Sequence, residues 1–252
     1  MNRTLLWMAI GLAVCAEIAF AQPDVDPAHI GIEVTPFYNS IGPTIEVGSF
    51  SKGLASKDEV EFEATIAKMQ KSWDKLTFAE TYVAAIRLYD LGYRKESVYW
   101  FYSAQYRGRL FGVLVDQDKL GSIGSPGFEL LQAQNAFYQL VGPYINGYGF
   151  GDLEHLENVL QRVLKEGQKL PDVNAIYRGV KFRDESEWKA EHKDLNDGLS
   201  KLLTQIKEQK EEIKRGRIER GAEAKFGKLT NRDFHKRVEP VLKSDKPAIP
   251  AK

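Results

Sequence analysis

The sequence predicts a mainly α protein: a helical-hairpin bundle with a small N-terminal β hairpin and a long C-terminal helix. Three observations carry this expectation. From Ser56 onward apolar residues recur at helical spacing, beginning with Val60, Ile66, Met69 and Trp73. Between Ile30 and Phe50 the apolar residues alternate instead, as they do in strands. From Glu185 to Arg215 a seam of Leu195, Leu199, Leu202, Ile206 and Ile213 follows steps of four and three, with Gln209 in the vacant position.

Residues 1–21 read as a secretory signal peptide. One positive charge at Arg3 precedes an apolar run from Leu5 to Ala16, and Ala19-Phe20-Ala21 offers small residues where a signal peptidase cuts. The run is shorter than the roughly 20 residues of a membrane span, so no transmembrane anchor is expected after cleavage near Ala21. Leu12-Ala13-Val14-Cys15 has the outline of a lipobox, but Val14 is bulky where a small residue is wanted, and lipidation of Cys15 stays open. Cys15 is the only cysteine, so cleavage would leave a mature chain without disulfide or thiolate ligand. The expected location is the periplasm or the exterior.

The net charge is zero, with 35 basic and 35 acidic residues, yet it is unevenly spread. Residues 22–90 hold eleven acidic against six basic side chains, and residues 201–237 hold twelve basic against six acidic. Such an asymmetry can steer a charged partner, or can place the two ends of the chain side by side. The mixed signs at the basic end, and export itself, argue against nucleic acid as that partner.

Residues 22–55 are expected to form an extended or β segment, with Pro36, Asn39-Ser40 and Gly42-Pro43 as turns. Residues 56–215 form the helical domain. Ser56 and Glu59 have capping-box spacing, as do Thr77 and Glu80. A helix through Tyr82, Ala85, Ile86 and Tyr89 stops at Gly92, and another runs from about Lys95 to Leu110. Ser125-Pro126 starts a helix to Val141, Gly142–Gly151 is expected as a loop, and Asp152 caps a helix ending at Gly167. Residues 216–252, rich in Lys and Arg and interrupted by Gly and Pro, read as a charged flexible tail.

The stretch from Phe78 to Leu110 is the most distinctive. Ala84-Ala85, Leu88-Tyr89, Leu91-Gly92 and Trp100-Phe101-Tyr102-Ser103-Ala104 place small and aromatic residues along two helices joined by a short turn. This resembles a single unit of the tetratricopeptide/Sel1-like repeat class. It covers about 33 residues, without a second copy, whereas repeat arrays need three or more units. The resemblance implies a helical hairpin and a role in binding peptides or proteins.

The aromatic run Tyr99, Trp100, Phe101, Tyr102 and Tyr106 spans more than one helix face. It reads first as a central core helix. As a recognition surface it would join Tyr99, Trp100 and Tyr102 with Gln105, Arg107 and Arg109, the residue types that anchor interfaces. In the loop expected at Gly142–Gly151, Tyr144 and Tyr148 could stack on a sugar or peptide. A phosphate cradle is disfavoured there, because a helix precedes the glycines and Asp152 occupies the next helix N-terminus.

No catalytic signature is present. His29, His155, His192 and His235 lack zinc spacing, and Gly121–Ser125 has the wrong spacing for a nucleophile elbow. No metal or cofactor is expected. The expected function is non-enzymatic interaction with another protein, in its sharpest form a guard or immunity protein that neutralises a secreted toxin. The alternatives are a periplasmic cell-wall hydrolase with a carboxylate pair beside Tyr144 and Tyr148, or a small-ligand binder using Trp100 and Arg107.

Overall fold

A computed structural model describes residues 26–30 and 47–234. The predicted signal peptide, and the body of the predicted β hairpin at residues 31–46, lie outside the described residues. Where the segment 22–55 re-enters at Val47 it is helical rather than extended. A 3-10 turn at Gly48–Phe50 runs into the short helix α1, Ser51–Ala55.

Eight further helices build the body: α2 (Glu59–Lys71), α3 (Phe78–Asp90), α4 (Arg94–Leu114), α5 (Pro126–Gly149), α6 (Leu153–Glu166), α7 (Val173–Ile176), α8 (Glu185–Glu208) and α9 (Lys210–Glu219). A short α10 (Ala222–Phe226) follows them. Among the described residues there is no strand, only one antiparallel bridge between Val115 and Phe182. None of these helices is long and apolar enough to cross a membrane.

The predicted capping box at Thr77 forms in full: its hydroxyl accepts from Glu80 N, and the Glu80 carboxylate accepts from Thr77 N at 2.8 Å. The one predicted at Ser56 does not. Asp58 caps α2 instead, its carboxylate accepting from Val60 N and Glu61 N, while the Ser56 hydroxyl accepts from Asp58 N. A carboxylate two residues nearer the helix reaches the free amides more directly.

Helices α3 and α4 form the antiparallel hairpin at the centre. Gly92 turns the chain at φ +86°, a conformation glycine adopts without a Cβ penalty. The pairing is fixed by Ser97 Oγ donating to Ala85 O at 2.8 Å, and by the ring contacts Tyr82–Phe101 and Phe78–Phe111. Around this hairpin pack α2, α5, α6 and α8. The seam of α8 points inward as far as Ile206. Gln209 then ends the helix with non-helical backbone angles, so the single helix predicted to Arg215 becomes two.

The largest difference concerns residues 216–234, which are ordered structure rather than tail. Helix α9 continues to Glu219, α10 docks Phe226 at 3 % exposure, and the chain then returns to the turn of the central hairpin. There Arg232 N donates to Gly92 O, its guanidinium forms a two-bonded ion pair with Glu59, and Phe234 meets Tyr93 edge-on. Residues 26–30 reach the same turn: Ile30 N donates to Asp90, and Tyr89 Oη to Pro27 O. Arg94 joins these two segments, donating to Thr230 O and to Ala28 O. The charge asymmetry of the sequence therefore has a local use, since basic Arg232 pairs with acidic Glu59 across 173 residues.

Candidate interaction surface

Helix α4 carries six of the predicted site residues, and the structure turns most of them into the core. Trp100 is fully buried and donates its indole N–H to Glu96 at 3.0 Å. Tyr102 is buried and donates to Asn146 Oδ1, while Gln105 is buried beside it on the same helix. Tyr99, also buried, donates to Glu166 at 2.7 Å, and burial together with that carboxylate pushes its hydroxyl pKa well up. These side chains hold α4 against its neighbours.

Tyr99, Trp100 and Arg107 do come together, around Trp73. The Trp73 ring stacks on Tyr99 at 5.3 Å and meets Trp100 edge-on at 5.0 Å. Arg107 covers the Trp73 ring at 4.9 Å, and Arg162 covers Tyr99 at 3.6 Å. The Arg107 guanidinium also donates to Leu76 O and Trp73 O, closing the turn between α2 and α3. Both faces of the stack are thus occupied by the protein itself, which makes it a structural pillar. Arg109 stands apart, half-buried, its charge acting on the buried Tyr82 hydroxyl.

Tyr144 and Tyr148 lie on helix rather than loop, because α5 runs through Pro143 to Gly149. The glycines there serve close packing. A Cβ on Gly147 would sit 2.5 Å from the Phe226 ring, and one on Gly149 would meet Val98 at 3.4 Å. Tertiary contact outweighs the low helix propensity of these residues. Tyr144 is buried and Tyr148 packs edge-on against Tyr89. A shallow hollow of about 100 Å³ lies at the other end of α5, between Leu120, Ser125 and Val180. It contains none of the predicted site residues. Among the described residues no three His, Cys, Asp or Glu side chains gather closely enough to hold a metal ion.

The surface that stands out was not singled out in the sequence. From Leu130 to Gly151 the chain has no charged residue, although charged residues make up 28 % of it. Helix α5 occupies most of that stretch and is a flank of the bundle. Ala133, Phe137 and Val141 face inward, with Phe137 stacked on Tyr82 at 5.0 Å. Gln132, Asn135, Ala136, Gln139 and Leu140 face solvent, and Leu140 is 50 % exposed. Helix α8 is the contrast, since its solvent face carries Glu187, Lys189, Lys193 and Asp197, the last two ion-paired. The depletion of charge between Glu129 and Asp152 is a signal that composition along the sequence could have supplied.

The chain matches no family model, no curated protein and no solved structure.

Proposed function

We propose that this is a non-enzymatic protein-interaction protein whose contact surface is the outer face of α5. The observation that carries the reading is the exposure of a helix face that bears no charge from Leu130 onward in an otherwise charge-rich chain. Loss of charge is the compositional mark of interface centres, where a buried unpaired ion would be costly. The amides of Gln132, Asn135 and Gln139 can donate and accept without bringing a charge into the contact. The resemblance of Phe78–Leu110 to a tetratricopeptide/Sel1-like unit points to the same kind of role. For an exported chain its sharpest form is a guard that binds and blocks a toxic secreted protein.

The test is site-specific photo-crosslinking in cells. A photoreactive residue at position 132 or 139 is expected to yield a discrete protein adduct, while one at Lys193 on α8 yields none. Absence of an adduct at both α5 positions would overturn the proposal.

A further inference from the structure

Two distant segments of the chain meet at the turn between α3 and α4, and they complete its helix ends. The first turn of α4 leaves amides that its own residues do not cap, because Tyr93 at the N-cap makes no side-chain capping bond. Asn231 supplies the acceptor from 136 residues away: Lys95 N donates to its Oδ1 at 2.8 Å. Arg232 N donates to Gly92 O, and Phe234 packs edge-on against Tyr93. From the other side, Ile30 is fully buried, its N–H donates to Asp90, and Tyr89 Oη donates to Pro27 O.

Arg94 stands between the two docked segments and bonds to both. It is 7 % exposed, with Nη1 donating to Thr230 O at 2.6 Å and Nη2 to Ala28 O at 3.1 Å. The guanidinium lies over the Tyr89 ring at 5.2 Å, while Nε is buried without a hydrogen-bond partner among the described residues. A buried cation is costly unless its donors are satisfied, and here each segment satisfies one of the two terminal nitrogens. If either segment leaves, Arg94 loses a carbonyl and must turn toward water, away from the other. Each segment, when seated, therefore holds the guanidinium in place for its counterpart.

From this geometry we infer that residues 26–30 and 230–234 are two halves of one clasp, which opens and closes as a unit through Arg94. The device is conformational: unseating residues 26–30 loosens the strap formed by residues 222–234, and the reverse. Gly221 turns the chain from α9 into that strap at φ +74°, a conformation that glycine allows. Opening uncovers the Lys95 amide and the Tyr93 ring at the hairpin turn. It leaves the strap held by Phe226 on Gly147 and by the Arg217–Glu223 pair. Segments that share a partner in this way couple by about tenfold in their opening equilibria.

The test is native-state hydrogen exchange on the full chain. Ile30→Asp places a carboxylate at a fully buried position and unseats residues 26–30. The Lys95 and Arg232 amides, which belong to the other half of the clasp, should then exchange about tenfold faster. Reciprocally, Phe234→Asp should speed exchange of the Ile30 amide by a similar factor. Should the aspartates prevent folding, Ile30→Ala and Phe234→Ala give the same comparison. Leu203→Ala, buried in α8, is the control for general loss of stability and should leave these amides unchanged. Arg94→Met keeps the buried stem and removes the link, so in that background altering one half should move the other no further. Acceleration confined to the altered half, equal acceleration in Leu203→Ala, or coupling that survives Arg94→Met would each overturn the inference.

Discussion

The ring of Phe226 rests directly on the Cα of Gly147, so close that a Cβ there would lie 2.5 Å from two ring carbons. Arg217 reinforces the joint, donating to Gly147 O and pairing with Glu223 at 2.7 Å. Gly147→Ala should therefore undock α10 despite the gain in helix propensity of about 1 kcal/mol. Overpacking costs about 1–3 kcal/mol, so the net expectation is a lower Tm with faster proteolysis within residues 220–228. Gly112→Ala is the paired control, because a Cβ there meets only Leu131 at 3.9 Å. It should raise stability by up to about 1 kcal/mol.

Arg107 is expected to matter for stability and not for recognition. Arg107→Leu removes the donors to Leu76 O and Trp73 O and the cation above the indole. Leaving the part-buried Leu76 carbonyl without that donor costs about 1–3 kcal/mol, whereas Trp73 O keeps the Leu76 N–H. Urea denaturation should show a loss of that order, and crosslinking at α5 should be unchanged below the transition.

Glu80 makes stability depend on pH. Burial raises its pKa above the ordinary 4.5, and this outweighs the lowering by the Thr77 hydrogen bonds and the Arg107 charge. The folded state therefore holds that proton more tightly than the unfolded state does. Its contribution is greatest below pH about 4.5 and declines as pH rises through the folded pKa. Glu80→Gln keeps an acceptor for Thr77 N–H and removes the titrating group. Urea midpoints between pH 4 and 7 should thus fall less steeply in the variant. Asp90, also raised by burial, contributes the same background decline to both chains.

Phe234 tests whether residues 216–234 are part of the fold. It is 2 % exposed and packs against Tyr93, whose hydroxyl donates to Glu63. Phe234→Ala should cost about 3 kcal/mol, the low end for a buried phenylalanine. A flexible tail would show no loss. Hydrogen exchange at Gly92–Lys95 should rise together with the loss, because the same segment donates from Arg232 N to Gly92 O.

The sequence by itself determined the helical class and most element starts. Thr77, Pro126 and Asp152 act within a few residues of themselves, through a cap or a fixed φ, and local chemistry is legible locally. Periodicity likewise placed Leu195 and Ile206 on an inward seam. What only the tertiary structure decided is where those helices stop and which side chains remain exposed. Glycines at 142–151 read as a loop, yet Phe226 and Val98 press on them from distant segments and hold the helix. Tyr99 and Trp100 read first as core and second, with Arg107, as anchors for a partner; Trp73, Glu166 and Arg162 consume their faces and donors, which leaves the core reading. The residues from 216 read as a tail because nothing near them in sequence offers a partner. Gly92, Glu59 and Tyr93 are more than a hundred residues away, and folding alone brings them into contact. The face of α5 belongs to both accounts: its missing charge is written in the sequence, and its exposure had to be seen.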